Sequence, residues 1–281
     1  MMRALIIAAA AALFATPALA ASEAEHPEDY RFSFDSPVGH YDMAQVQRGF
    51  QVYRQVCASC HSMNYLAYRH LGERGGPFAA YRMRNHETGE HEMRIGVPAG
   101  AHGAQFVDVT DNPYVRAIAE EVTVSDVDPN TGQPIDRPGR ISDRFPRPYP
   151  NEAAGRSING GAYPPDLSVI TSARHGGADY IRALLTGYDG ETEGLLYHNP
   201  YFPGGWIAMP PPLAEGVVVY EDGTEGTLDQ YATDVTAFLQ WAADPHMERR
   251  KAMGLQVLGF LIVLAGLLYL AYKQVWRNES H

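Results

Sequence analysis

Cys57-Ala58-Ser59-Cys60-His61 sets the only two cysteines of the 281-residue chain one helical turn apart and directly before a histidine. Two thiols at that spacing can add to the two vinyl groups of one porphyrin while the adjacent imidazole reaches the iron, the C-x-x-C-H pattern of covalent c-type haem attachment. Other chemistries explain less. A thioredoxin-like dithiol wants a βαβ context that the sequence does not show, and it leaves His61 without a role. A zinc site needs two further ligands, and none of the eleven histidines stands in an H-x-x-x-H spacing. A structural disulfide across two intervening residues would stabilise little.

The candidates for a sixth iron ligand are Met209, Met83, Met93 and His198. Met209 has the most suitable surroundings, Trp206-Ile207-Ala208-Met209-Pro210-Pro211-Pro212, where three prolines fix φ and remove backbone donors. His/Met ligation raises a reduction potential and leaves no open position for oxygen or peroxide, so electron transfer is the expected chemistry.

These residues need elements to hold them. Asp42 is placed to cap a helix whose Val46, Phe50, Tyr53 and Cys57 lie on one face and lead into the cysteines. A second amphipathic helix is expected from Thr227, with Leu228, Tyr231, Val235, Phe238, Leu239 and Ala242 on one face and Pro245 ending it. A shorter helix fits Ala178 to Leu185, and Val217 to Tyr220 read as a hairpin turning through Asp222-Gly223. Residues 125–150 are rich in Pro, Asp, Gly and Arg without periodicity, which predicts a surface insertion. A few helices separated by long loops bury little of one another, and a haem would fill the centre.

Composition narrows the partners. Lys+Arg number 22 against 33 Asp+Glu, a formal net charge of −11, and no basic cluster outweighs the acidic runs, so nucleic acid is excluded as an expected partner. Both ends of the chain point to a membrane. Arg3, the apolar run Ala4 to Phe14 and Ala18-Leu19-Ala20 form the pattern of a cleaved signal peptide over residues 1–20. Gly254 to Tyr272 is an apolar stretch of 19 residues, which at ~1.5 Å per residue spans ~28 Å as a helix. Three basic residues, Arg249-Arg250-Lys251, precede it and only Lys273 and Arg277 follow, a count that mildly favours the opposite orientation. The signal peptide outweighs that count. The expected organisation is an exported domain over 21–250, an anchor helix over 251–276 and a cytoplasmic tail over 277–281.

Beyond these features, the chain from Pro37 to Trp276 resembles the cytochrome c1 family in a bacterial form. The segments that carry the resemblance are Arg48-Gly49-Phe50-Gln51-Val52-Tyr53 ahead of the cysteine pair, Pro150-Asn151-Glu152-Ala153-Ala154 with Arg156, Gly161-Ala162-Tyr163-Pro164-Pro165-Asp166-Leu167-Ser168, Leu184-Leu185-Thr186-Gly187-Tyr188, Asn199-Pro200-Tyr201-Phe202-Pro203-Gly204, and Met209 with its prolines. The resemblance implies a mainly α fold, a class I cytochrome c-like helical domain with long irregular loops around one covalently bound haem c, plus one C-terminal transmembrane helix. It implies thioethers at Cys57 and Cys60, axial ligands His61 and Met209, and a haem propionate on Arg156. It also implies the electron-transfer subunit of a ubiquinol:cytochrome c oxidoreductase (the cytochrome bc1 complex), a translocase in which no substrate bond is made on this chain. The expected partners are a cytochrome b subunit, a Rieske iron-sulfur subunit as donor and a soluble basic c-type cytochrome as acceptor. The expected location is a bacterial inner membrane with the haem domain in the periplasm. A free-standing membrane-anchored cytochrome or an oxidase haem subunit shares every haem argument, and a non-haem thiol oxidoreductase is the rival of another class. Some bacterial relatives carry an extra disulfide, which a chain without a third cysteine cannot form.

Overall fold

The computed structural model describes residues 24–85, 87–96 and 103–278, so the signal peptide expected over 1–20 and the last residues of the tail lie outside the described residues. Eight α-helices run through the described residues: α1 Met43–Gln55, α2 Tyr68–Gly72, α3 Pro113–Glu120, α4 Glu152–Ile158, α5 Ile170–Ala173, α6 Gly177–Thr186, α7 Leu228–Ala243 and α8 Met247–Val275. The capping signals read from the sequence are realised. Asp42 accepts from the Ala44 and Gln45 amides at the start of α1, and Thr227 accepts from Gln230 at the start of α7.

Helices α1 and α7 cross at the centre, and Gly49 makes the crossing close. A Cβ there would lie 1.9 Å from the Asp234 carbonyl oxygen. The approach lets the Arg48 guanidinium hold the fully buried Asp234 carboxylate through Nε and Nη2 at 2.8 and 3.2 Å, while Nη1 reaches Asp222 at 3.1 Å. Around the crossing Phe50 meets Phe238 edge-on and Tyr53 meets it at a tilt, both with ring centroids 5.5 Å apart, and Phe145 and Trp241 extend the aromatic core.

The fold is less purely helical than expected, because three small sheets accompany the helices. Strands β1 Ala80–Arg84, β2 His91–Ile95 and β3 Gln105–Phe106 form one antiparallel sheet in the order β2-β1-β3. A hairpin of β4 Thr123–Val127 and β5 Pro134–Pro138 occupies the start of the insertion that showed no periodicity. Strands β6 Thr192–Glu193, β7 Leu196–His198 and β8 Trp206–Ile207 form the third. The β4–β5 hairpin escaped the sequence reading because both strands are largely solvent-facing and carry polar residues on each side. Arg137 fastens it, bonding Asp126 at 2.7 Å and Asp143 at 2.6 and 3.0 Å.

The hairpin expected at Val217 to Tyr220 does not form. The chain reverses at Asp222-Gly223, but the hydroxyl of Tyr231 on α7 accepts from the Val218 amide at 3.1 Å and donates to the Val218 carbonyl. A backbone held in that way has no ladder left to offer.

Helix α8 starts at Met247 and runs 29 residues, with a mean hydropathy of 2.2 over its most apolar window and its apolar side chains exposed along the span. It is long and apolar enough to cross a membrane. Its basic first turns face the domain. Arg250 pairs with Asp244, Lys251 donates to the carbonyls of Phe34 and Ser36, and Glu248 accepts from the Tyr41 amide at 2.9 Å. Two of the three basic residues that disturbed the orientation count are thus engaged in tertiary contacts.

Candidate haem site

The cysteines follow α1 on a short 3₁₀ turn, Cys57–Ser59. The amides of Cys60 and His61 both donate to the Cys57 carbonyl, at 3.1 and 2.9 Å, which brings two thiols and an imidazole together on one turn of backbone. Both cysteines are free thiols. Burial, with the neighbouring Cys60, pushes the Cys57 thiol up to about 12, so it remains S–H at neutral pH.

His61 is oriented by a partner 104 residues away. Its Nδ1 lies 2.8 Å from the carbonyl oxygen of Pro165, and since a carbonyl can only accept, Nδ1 carries the proton. Burial lowers the imidazole pKa against the opposing pull of the Pro165 carbonyl and Asp166, so the ring is neutral at pH 7. Nε2 then has its lone pair free for a metal. A histidine whose second ring nitrogen donates to a backbone carbonyl is the usual preorganised metal ligand.

Pro165 belongs to a strap that is stitched to the residues after His61. Ser62 Oγ and the Asn64 amide donate to Asp166 Oδ2 at 2.9 and 2.8 Å, the Leu167 amide donates to the Ser62 carbonyl at 2.8 Å, and the Tyr65 amide donates to Ser168 Oγ at 3.1 Å. Burial alone would raise the Asp166 carboxyl, yet the donors from Ser168, Asn64 and Ser62 outweigh it and hold the group below the usual carboxylate range.

The Tyr149 hydroxyl accepts from Asn159 Nδ2 at 2.9 Å, and it lies near enough to the Cys60 thiol for that group to help push its pKa up. Gly155 of α4 lies against the Tyr163 and Tyr149 rings, where a Cβ would come within 2.6 and 3.1 Å, and Leu195 packs over Gly160. Tyr149 therefore brings α4, and with it Arg156, to the cysteine turn. The arginine itself is half exposed, with Nε and Nη2 on Glu152 at 2.9 and 2.6 Å and Nη1 on the Gly161 carbonyl at 3.0 Å. Leu195, Ile158 and Tyr163 are exposed around the end of α4, an apolar surface suited to a porphyrin face. Free paired thiols, a neutral oriented imidazole and adjoining apolar surface together fit a covalently attached haem.

The candidates for the sixth ligand separate in space. Met83 and Met93 face Glu92 and Arg82 across the β1–β2 hairpin. His198 is engaged, with Nδ1 2.6 Å from Asp189 and its ring edge-on to Trp206 at 5.1 Å. Met209 follows β8 and is half-buried, its carbonyl accepting from the Tyr188 hydroxyl at 3.0 Å. Among the described residues no hydrogen bond or ring contact joins Met209 to His61. The sequence reading missed Tyr149, Pro165 and Asp166 as parts of the site. The Pro-Pro-Asp-Leu-Ser segment stood out there, but nothing local shows that its carbonyl would meet His61.

The C-x-x-C-H turn and its oriented histidine define a c-type cytochrome site. Within that class the chain belongs to the cytochrome c1 family, whose family model matches residues 32–279. It is 45% identical to the mitochondrial heme protein cytochrome c1-2 of Solanum tuberosum over 94% of this chain and 90% of that one. It is 39% identical to cytochrome b/c1 of Bradyrhizobium diazoefficiens over 99% of this chain, which spans 40% of that longer protein. The cytochrome b-c1 complex catalytic subunit of Candida albicans is 41% identical over 90% of this chain and 77% of its own length.

Proposed function

We propose that the chain is the electron-transfer haem subunit of a ubiquinol:cytochrome c oxidoreductase, taking one electron from a Rieske iron-sulfur subunit and giving it to a soluble basic c-type cytochrome. The observation that carries this reading is the His61–Pro165 bond, which leaves Nε2 free one residue after two unpaired thiols. Cys57 and Cys60 would hold the haem as thioethers, His61 and Met209 would ligate the iron, and Arg156 would take a propionate. Bound haem supplies a reversible one-electron couple, with no substrate bond made on this chain. The Arg156–Glu152 pair is exposed on both sides, and such pairs contribute about 0–1 kcal/mol, so it is a weak competitor for a propionate.

Cytochrome b as the neighbouring subunit is supported by the Bradyrhizobium relative, whose name joins b and c1 in one chain. Enzymatic status as a translocase belongs to the assembled complex. The organisation that fits is a signal peptide over 1–20, a periplasmic domain over 21–250 with an insertion at 125–150, an anchor over 251–276 in a bacterial inner membrane and a cytoplasmic tail over 277–281. The engagement of Arg250 and Lys251 by the domain supports that orientation, since their charge serves tertiary structure.

The exposed acidic runs Asp189 to Glu193 and Glu215 to Glu225 suit a basic acceptor. The test is the complex purified from membranes. Its c-type absorption band should sharpen on quinol addition and fade on reoxidation, and transfer to a basic cytochrome should slow as ionic strength rises. A complex without a c-type band overturns the reading, and a salt-independent rate removes the acidic docking face. For the axial ligand, Met209→Leu should lose the native low-spin spectrum and lower the midpoint potential. A variant with both unchanged would move the sixth ligand elsewhere.

A further inference from the structure

We propose that Asp166 is a positioning residue for electron transfer, which sets how strongly His61 donates to the iron by fixing the carbonyl that holds its Nδ1 proton. The inference rests on His61 being an iron ligand, and it assigns the reduction potential to a carboxylate that makes no hydrogen bond to the imidazole itself.

The Pro165 carbonyl and the Asp166 amide nitrogen belong to one planar peptide unit, so anchoring Asp166 orients the Pro165 oxygen. Three donors anchor it. The Ser168 amide binds Oδ1 at 2.9 Å, a local turn that would form wherever the strap lay. The other two are not local: Ser62 Oγ and the Asn64 amide reach Oδ2 at 2.9 and 2.8 Å from 104 and 102 residues away, one and three positions beyond His61. The carboxylate therefore ties the acceptor of the His61 proton to the very stretch of chain that carries His61. Asn64 Nδ2 supports the arrangement by donating to Ser62 Oγ at 3.2 Å.

The consequence is electronic. A short bond from Nδ1–H to a fixed carbonyl raises the basicity of Nε2, and a more basic axial ligand favours the ferric over the ferrous state. If the strap loosens, the carbonyl drifts, the donation weakens and the potential rises. Asp166→Asn tests this with little change of volume. An amide has one acceptor oxygen and an NH₂ that would face a donor, so at least one of the bonds from Ser62, Asn64 and Ser168 is lost.

The experiment is a potentiometric titration of the full-length chain in its membrane complex, together with the low-spin EPR g-values that report the axial ligand field. Asp166→Asn should keep its covalent haem and raise the ferrous/ferric equilibrium constant at least threefold, about 28 mV on the scale of 59 mV per decade for one electron. Ser62→Ala removes one donor and keeps the carboxylate, so its shift should have the same sign and be smaller. Asp143→Asn breaks the Arg137 bonds away from the haem turn and should leave the potential unchanged. A native potential and native g-values in Asp166→Asn overturn the proposal. If that variant does not assemble, a native potential in Ser62→Ala overturns it. A wild-type complex lacking covalent haem fails differently, since it removes the proposed function itself.

Discussion

A chain with serine at both Cys57 and Cys60 should release all of its haem into acid acetone, whereas the native chain should keep its colour through the same extraction. The thiols stand on one turn because Cys60 and His61 both donate to the Cys57 carbonyl, and neither is consumed by a disulfide. Each S–H can add across a vinyl C=C, sulfur bonding one carbon and hydrogen the other, so attachment needs no net oxidant. Serine offers a hydroxyl of nearly the same size but far weaker nucleophilicity, and no third cysteine exists to substitute. His61 and its bond to Pro165 are untouched, so haem can still be recruited through iron but held without a covalent link. The single substitutions should each retain colour, because one thioether suffices against extraction. Pigment that stays on the double variant would sink the assignment of these cysteines.

Legibility in the sequence followed the distance over which each feature is decided. The haem turn was legible because Cys57, Cys60 and His61 fall within five residues and their chemistry is local. The ends of α1 and α7 were legible because Asp42 and Thr227 cap amides two or three residues ahead. Pro165 was not, since its role depends on a contact across 104 residues that no periodicity encodes. Val217 to Tyr220 misled for a related reason. Alternating apolar residues predict a strand, but the Tyr231 hydroxyl took both backbone groups of Val218. Strands β1 and β2 do alternate, apolar Tyr81, Met83, Met93 and Ile95 with charged Arg82, Arg84, Glu92 and Arg94, but each run is at the lower limit of the length at which alternation marks a strand. The resemblance nominated Arg156, and the structure places its helix beside the cysteine turn through Tyr149 while its guanidinium rests on Glu152.

Alanine at Gly49 should cost the haem-loaded protein about 3 kcal/mol, because a backbone carbonyl cannot yield the way a side chain can. The added methyl would sit 1.9 Å from the Asp234 oxygen, 2.6 Å from its carbonyl carbon and 2.7 Å from Phe238 Cβ. Intrinsic propensity works the other way, since alanine is better than glycine in a helix by about 1 kcal/mol. Overpacking costs about 1–3 kcal/mol by itself, and here the helices can part only by loosening the Arg48–Asp234 pair as well. Asp234 is fully buried, and uncoupling such a carboxylate from its partner costs about 3–5 kcal/mol when complete. A partial loss added to the clash exceeds the propensity gain. For a domain of this size about 3 kcal/mol corresponds to a fall of roughly 6–12 °C in Tm. Gly254→Ala provides the contrast, as that glycine lies in α8 with nothing within 4 Å of its added Cβ, and its substitution should not lower Tm. Thermal melts of the two variants followed at the haem band separate the effects. Equal melting temperatures would show that the α1–α7 crossing tolerates a methyl, and that the close approach at Gly49 does not hold the haem turn in place.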